Sequence, residues 1–354
     1  MQLNIKNIEF CNSQEIGKDF FNRKIKIRID KLTLVSDFSS KSRKENIYCK
    51  LDKLPDAAHN DYNVRRVFPR KNKPYRKAII IKGKGKNSPV LLRIDYSPIN
   101  FNTGGIRFDF HPQHQTSAGN DKLIMWIGNK VGNNIIDTIT NAWIKQVDIA
   151  LDINDCRLKD YIWDLKGARK YKYYSTAKGL PGIRIGSSRS IQHILFYEKI
   201  DASDSKLKRG KVNSKHIDVD IKSHTRFLRI EARYRPKSKS KKNITESLML
   251  CDICKMKNPF EMIKIYSLSL IEEIKSEGIL KKTPNNNSLI AIKNKINKEM
   301  NYSRLPRNIM KSIDDNEIEL FDNDFIWNNW KECIKNLSIF IFNLNVQHFP
   351  KDDD

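Results

Sequence analysis

The sequence lacks a long apolar run. Its longest stretch of this kind, Leu337 to Leu344 (LSIFIFNL), is far shorter than the roughly 20 apolar residues that a membrane-spanning helix needs. Residues 1–21 contain no apolar core of signal-peptide length, and their charges are interspersed. We therefore expect a cytoplasmic protein without a membrane partner.

The sequence also lacks the paired cysteine motifs of a zinc site. Its six cysteines are scattered, as reduced thiols are, and only Cys251 and Cys254 form a CxxC. No second CxxC and no histidine pair stands at zinc-binding spacing. We interpret these two cysteines as thiols on a helix that packs into the core.

Acidic residues are too few to balance the basic ones. The chain has 66 Lys and Arg against 41 Asp and Glu, which gives a net charge of +25. Such an excess favours an anionic partner, and nucleic acid comes first. Aromatic residues at 9% and hydrophobic residues at 39% are ordinary for a globular protein and exclude a disordered basic tail.

Alternating and helical patterns together predict an α+β fold with a largely antiparallel β-sheet core, packed helices and a helical C-terminal region. Strands are predicted at 24–37, 78–85, 90–97, 105–112, 145–153, 182–186, 191–199 and 225–235, and helices at 117–140 (capped by Ser117 or Asn120), at 157–172 and in the tail. Residues 38–75 are polar and basic, as in an insertion or a mobile arm. We divide the chain into an N-terminal strand with a basic arm (1–75), an α+β core (76–243) and a helical region (244–354).

Acidic residues occur where a strand would normally exclude them. In KQVDIALDIND, Asp148 and Asp152 share one face of a strand, and in RFLRIEARYR Glu231 alternates with Arg229, Arg233 and Arg235. Carboxylates on neighbouring strands are suited to Mg²⁺ or Mn²⁺, and the arginines are suited to phosphates. The alternative is a structural network in which the carboxylates pair with these arginines.

A second segment, GIRIGSSRSIQHILFYEK, combines two strands with a turn rich in hydrogen-bond donors. Ser187, Ser188 and Arg189 follow Gly186, and such a turn can present hydroxyls and backbone N–H groups to a phosphate. The same residues also fit an ordinary hairpin turn.

These motifs together resemble the rolling-circle replication initiators of plasmids and filamentous phages, in the group called Rep-trans. The resemblance covers residues 25–240 and lies in VDIALDI (147–153), IGSSRS through LFYEK (185–199) and RFLRIEARYR (226–235). It implies origin binding and nicking of one DNA strand by a tyrosine, supported by a divalent cation on Asp148, Asp152 and Glu231. The enzyme becomes joined to the 5′ phosphate and leaves a 3′ hydroxyl.

The sequence departs from that family at the position of the nucleophile. Family members often have a tyrosine just before the GS turn, where this chain has Arg184 in GIRIGS. Candidates for a substitute are Tyr171, Tyr173 and Tyr174 of the YKYYS segment, of which we favour the last two, and Tyr197 of the FYEK motif, whose Lys199 we also include as catalytic. If none attacks, the protein is a non-catalytic relative that acts as an origin-binding protein or a repressor.

A histidine-pair metal site, as in the other large initiator and relaxase superfamily, is an alternative to the carboxylates. The candidate residues are His111 and His114 of HPQH. That site needs two histidines on one strand face with one residue between them, and Pro112 ends the strand here. A turn with solvated imidazoles is the simpler interpretation.

The expected partner is origin DNA in both double- and single-stranded form. Between Lys206 and Lys242 the chain has 14 Lys and Arg against three acidic residues, which predicts a segment that follows the DNA backbone. We also place Arg184, Ser187, Ser188, Arg189, Arg229, Arg233 and Arg235 among the DNA-binding residues. A helicase and a second copy of the chain are the further partners considered.

Overall fold

The computed structural model describes residues 13–68, 74–85, 88–175, 181–201, 226–236, 248–280 and 287–346. The predicted α+β class is confirmed, because these residues form one large antiparallel sheet with helices packed against it. No helix in this part of the chain is both long and apolar enough to cross a bilayer.

The strands fall into two sheets. The large sheet consists of β1 (Ser13–Lys18), β2 (Lys24–Ser36), β3 (Tyr62–Val67), β4 (Tyr75–Gly83), β5 (Val90–Pro98), β6 (Ile106–Phe110), β7 (Trp143–Asn154), β9 (Tyr171–Ser175), β10 (Pro181–Ile185), β11 (Gln192–Asp201) and β12 (Arg226–Tyr234). The small sheet consists of β8 (Ile162–Leu165), β13 (Ile263–Tyr266) and β14 (Glu317–Ile318).

The helices lie between β2 and β7 and in the C-terminal part. They are α1 (Lys41–Lys53), α2 (Ser117–Val131), α3 (Asn134–Thr140), α4 (Ser269–Ser276), α5 (Leu289–Met300), α6 (Arg307–Asp315), α7 (Asn323–Asn328), α8 (Trp330–Leu337) and α9 (Ile339–Val346). The sequence predicts Ser117 or Asn120 as the N-cap of α2. The N-cap in the structure is Thr116, whose side chain accepts a hydrogen bond from Gly119 N. Gly132, with φ +102°, ends α2 before α3 begins.

The large sheet has the strand order β3-β4-β5-β6-β2-β7-β12-β11-β10-β9, and β1 pairs with the end of β2. Strand β2 comes from the segment 1–75 but lies between β6 and β7 of the segment 76–243. Apolar side chains such as Ile149 and Leu151 of β7 join α1, α2, α3 and α8 in one hydrophobic core. The opposite face of β7 and β12 carries the charged residues, and the candidate site lies there.

The prediction of one amphipathic helix over 157–172 is wrong, because this segment contains β8 and the start of β9. Strand β8 lies between two cores: Ile162 packs with the C-terminal helices α4 to α6, whereas Trp163 packs in the main core. A strand that is buried on both faces shows no alternation, so its sequence cannot be told from a helix by period alone.

Residues 38–68, which the sequence analysis treats as an insertion or arm, form an ordered part of the fold. They contain α1, whose Ile47 and Leu51 are buried, and the edge strand β3. The many lysines and arginines of this segment lie on its exposed side and hide the short apolar stripe. The predicted helical C-terminal region holds, with β13 and β14 added to it.

Candidate functional site

Two carboxylates lie side by side on the charged face of the sheet. In the pairing of β7 with β12, Asp148 is opposite Arg233, Ala150 opposite Glu231 and Asp152 opposite Arg229. Residues opposite each other on antiparallel strands share a face, so Asp148 and Glu231 point to the same side, as the alternation predicts. Both side chains are buried, at 3% and 5% exposure.

A single guanidinium joins these two carboxylates. Arg233 Nε donates to both oxygens of Asp148 at 3.1 Å, and its Nη2 donates to Glu231 Oε1 at 2.7 Å. Tyr197 Oη donates to the other oxygen of Glu231, Oε2, at 2.9 Å. Burial, followed by the charge of Glu231, raises the pKa of the Asp148 carboxyl. This cluster therefore carries two carboxylates and one cation in a place that is poor in water.

Asp152 lies in a separate, saturated cluster. Arg229 Nε donates to Asp152 Oδ1 at 2.6 Å, and Arg28 of β2 contacts Asp152 Oδ2. Arg229 also donates to Asp30 at 3.0 Å, and both arginines are fully buried. Arg28 was not singled out from the sequence, although its polar position in the alternating KIKIRID was a usable signal. The structure thus pairs Asp152 with arginines, which is the arrangement of a structural network.

Asp148 and Glu231 fit a divalent cation better than Asp152 does. Within the described residues no group of three or more His, Cys, Asp or Glu side chains converges on one point. Mg²⁺, however, is usually bound by one or two carboxylates together with substrate phosphate and water. The two buried carboxylates share the guanidinium of Arg233, and burial, followed by the charge of Glu231, raises the pKa of Asp148. A hard cation at this point would supply further positive charge.

The tyrosines of the YKYYS segment divide between the two faces of the sheet. Tyr173 is opposite Ile183, a core residue, so it lies on the face away from the carboxylates, and 46% of it is exposed. Tyr171 also belongs to that face, where it packs against the core. Tyr174 is opposite Gly182, on the same face as Glu231.

Glycine at position 182 allows Tyr174 to fold across its neighbour strand. A Cβ on Gly182 would lie 2.6 Å from the Tyr174 Cζ and 3.0 Å from its hydroxyl. On the other side of Gly182 stands Tyr197, so the two tyrosines flank one glycine. Burial, and next the charge of Glu231, raises the pKa of both phenols. Tyr174 and Tyr197 therefore lie on the same face as Glu231, and Tyr197 contacts its carboxylate directly.

The GSSRS turn stands at the end of β10 and is tied to the carboxylates. Gly186 has φ +96°, and a Cβ there would approach His193 Cβ to 2.9 Å, so the turn requires glycine. Arg235 donates to the Ser188 carbonyl at 2.5 Å and to Gln146 Oε1 at 2.9 Å. Gln146 in turn donates to Asp148 at 2.8 Å, which connects the turn to the site.

The turn residues line an open cavity of about 570 Å³ at the edge of the sheet. Its lining is rich in cations and contains no acidic residue: Arg169, Lys170, Tyr171, Lys172, Arg184, Gly186, Ser187, Ser188, Arg189 and Asn294. Sequence reasoning found Arg184 and the turn but missed the three basic residues that precede and begin β9, and also Asn294 of α5. The run RKYK was visible in the sequence, but the wrong helix assignment hid its position.

Of the remaining sequence-based candidates, the histidine pair has no part in this arrangement. The His111 and His114 rings stand 6.3 Å apart at the end of β6 and in the 3₁₀ turn that follows, so they do not share a strand face. The Lys199 side chain lies outside the described residues. So does most of the basic run 206–242, of which only 226–236 is described.

Comparison with known proteins gives a weak structural likeness. No protein-family model and no curated protein sequence matches the chain. The chain is similar to the rolling circle replication initiator protein from Geobacillus stearothermophilus, with a TM-score of 0.32 and 13% sequence identity over 82% of this chain and 96% of that one. At this level the likeness assigns no function, which has to be argued from the side chains of this chain.

Proposed function

We propose that this protein is a replication initiator that binds DNA and nicks one strand by a metal-assisted tyrosine transesterification. The observation that carries the proposal is that Tyr174 and Tyr197 share the sheet face of Glu231, whose carboxylate Tyr197 contacts, beside Asp148 and next to a cavity lined by cations. A nucleophile, an acidic group and a cationic cradle for phosphate are the parts that phosphoryl transfer needs.

Tyr174 is the proposed nucleophile. Its ring lies on top of Gly182 at the edge of the sheet, whereas the Tyr197 hydroxyl is held by Glu231 one strand further in. The Tyr174 oxygen attacks the phosphorus of one phosphodiester and forms a new P–O bond, which joins the protein to the 5′ phosphate of the DNA. The P–O3′ bond breaks, and the 3′ oxygen leaves with the proton that Tyr174 gave up through Glu231.

The remaining residues orient the reacting groups. Tyr197 fixes one oxygen of Glu231 and Arg233 the other, so that this carboxylate faces the substrate in one geometry. Asp148 and Glu231 would hold the Mg²⁺ or Mn²⁺, which supplies charge neutralisation at the phosphate. Arg184 and the GSSRS turn grip the neighbouring phosphate.

A non-catalytic DNA-binding protein is the second candidate, and two observations favour it. Arg184 stands where the resembling family has its tyrosine, and a guanidinium has no lone pair with which to attack phosphorus. Arg233 already occupies both carboxylates of the candidate metal site. In that case the same face binds DNA without breaking it.

Detection of a covalent adduct separates the two candidates. Single-stranded DNA labelled at its 3′ end, and supercoiled DNA labelled internally, are incubated with protein and Mn²⁺, and labelled protein is detected after denaturation. We expect an adduct for the wild type, none for Tyr174→Phe, and an undiminished adduct for Tyr173→Phe, the matched control on the other face.

The outcomes assign the roles. If Tyr197→Phe abolishes the adduct and Tyr174→Phe does not, Tyr197 is the nucleophile. If the wild type binds DNA and forms no adduct with any of the substrates, the non-catalytic function replaces the proposed one.

A further inference from the structure

The basic cavity has a second, less polar compartment beside it. This second cavity has a volume of about 340 Å³ and is lined by Leu165, Lys166, Gly167, Ala168, Arg169, Lys170, Gly186, Ser187, Ser190, Gln192 and Met262. It shares Arg169, Lys170, Gly186 and Ser187 with the basic cavity. The two compartments are therefore adjacent, one cationic and the other less polar.

Backbone hydrogen bonds hold the lining of the two compartments in place. Gly186 N donates to the Lys170 carbonyl at 2.8 Å, and Lys166 N donates to the Met262 carbonyl at 2.8 Å. Ser190 closes the turn by donating to the Ser187 carbonyl at 2.6 Å. This is a preformed site, which needs little reorganisation to accept a ligand.

The cationic compartment has capacity for an anion. Five of its residues are Lys or Arg, and within the described residues the Arg184 Nε is buried without a hydrogen-bond partner. A buried donor that is left unpaired costs free energy, and an anionic oxygen of a ligand would satisfy it. The Ser187 and Ser188 hydroxyls stand in the same lining as further donors.

From these features we infer that the two compartments together form a subsite for one unpaired nucleotide of a single DNA strand, with its phosphate among the cations and its base against Leu165, Ala168 and Met262. The inference rests on the proposed function for the identity of the polymer. A duplex, about 20 Å wide, cannot enter cavities of this size, whereas an unstacked base with its phosphate can. Tyr171 in the lining offers a ring for stacking.

The placement of the subsite gives it a role. Lys172 and Arg184 are opposite each other on β9 and β10, two residues from Tyr174 and Gly182 on the same strands. A nucleotide seated here is thus next to the phosphate that Tyr174 attacks. The subsite selects melted DNA over duplex at the point of cleavage.

Binding of three probes tests the inference in the Tyr174→Phe background, where no strand is cut. The probes are a fluorescent oligothymidylate of about 12 nucleotides, an abasic chain with the same phosphates, and a duplex of the same length. We expect the oligothymidylate to bind about tenfold more tightly than the abasic chain, since one seated base has roughly that effect. We expect the duplex to bind more weakly than the oligothymidylate.

Charge variants locate the effect. The triple change Arg169→Ala, Lys170→Ala and Lys172→Ala should lower oligothymidylate affinity and reduce the slope of log K against log salt by about 2, because each phosphate contact contributes roughly 0.7. The matched control, Lys41→Ala, Arg43→Ala and Lys53→Ala on α1, removes the same charge far from the cavity and should change affinity by less than about threefold.

Equal binding of the three probes, or equal losses in the two triple variants, would overturn the subsite. The result does not depend on nicking: if the adduct assay fails and the single-strand preference persists, the subsite stands and the proposed nicking falls. If the adduct forms and the single-strand preference is absent, the proposed nicking stands and the subsite falls.

Discussion

At the scale of single residues, charge balance separates two neighbouring acidic clusters. Asp30 and Asp152 face Arg28 and Arg229, so that cluster has two charges of each sign. Among the described residues, Asp148 and Glu231 form ion pairs with Arg233 alone, although Lys31 lies opposite Asp148 on β2. Burial makes this difference decisive, because an uncompensated charge is costly where water is excluded. The balanced cluster has the arrangement of a structural network, and the other cluster is the one at which we propose a divalent cation.

The balanced cluster should be essential for stability. Changing Asp152→Asn leaves two buried guanidiniums with one carboxylate, and we expect a loss of about 3–5 kcal/mol in the free energy of unfolding. Asp137→Asn, at an exposed pair with Arg43 at 3.8 Å, should cost less than about 0.5 kcal/mol. Urea unfolding of both variants checks this, and a similar loss in the two would contradict the structural role of Asp152.

His193 should make the protein sensitive to acid. It is 1% exposed, and burial together with Arg233, Arg235 and Arg184 lowers its pKa from 6.5 to about 4. The folded protein therefore binds the proton more weakly than the unfolded chain does, so stability is full above pH 6.5 and falls as the pH drops towards 4.

Replacement of His193 by glutamine removes this dependence. Between pH 6.5 and 4.5 the wild type should lose about 2 kcal/mol more stability than His193→Gln. Unfolding curves at several pH values measure the difference. An NMR titration that places the imidazole pKa near 6.5 in the folded protein would refute the explanation.

At the scale of elements, strands β9, β10 and β11 form the candidate site because the Tyr174 side chain of β9 lies directly against the backbone of β10. Gly182 of β10 carries no side chain, and the Tyr174 ring takes the space that a Cβ would need. At the other end of β10, Gly186 turns the chain with a positive φ so that the GSSRS turn lies beside the cations. Two glycines four residues apart thus position Tyr174 and the cationic lining of the cavity on one edge of the sheet.

Changing Gly182→Ala should separate activity from stability. The new methyl group would meet the far end of the Tyr174 ring, which can swing away, so we expect a stability change below about 1.5 kcal/mol. The displaced hydroxyl should lower the rate of adduct formation at least about tenfold, because the near-attack geometry is lost. Thermal unfolding and the adduct assay are measured on the same preparation. Full activity in this variant would exclude Tyr174 as the nucleophile.

At the scale of the whole molecule, positive charge exceeds negative charge by 25. The acidic residues are not evenly spread, since several lie in the two buried clusters and leave the cations to face outward. A surface of this kind binds polyanions through release of counterions. Contacts of that type give affinity and orientation but do not read sequence.

DNA affinity should therefore depend steeply on salt. We expect the dissociation constant to rise by about three orders of magnitude between 50 and 200 mM salt for some six phosphate contacts. Fluorescence anisotropy with labelled duplex and single-stranded DNA measures the slope. A flat response, or no binding at low salt, would remove the nucleic-acid function altogether.

The sequence by itself determined the elements whose two faces differ. Alternation in VDIALDI and RFLRIEARYR predicted two strands, and it also predicted that Asp148 and Glu231 point to one side. The period is a local property, because successive side chains of a strand point to opposite faces wherever that strand ends up. The turn at Gly186 was also predicted from a local property, because glycine followed by small polar residues is typical of turns.

Only the tertiary structure decided which charges meet and which tyrosine faces the site. Arg28 is more than 100 residues from Asp152 in the chain, and no local pattern announces their contact. Tyr173 and Tyr174 are adjacent and therefore point to opposite faces, but the register of β9 with β10 decides which of them shares the face of Glu231. The cavity likewise needs β9, the turn and α5 to come together, and long-range packing alone brings them there.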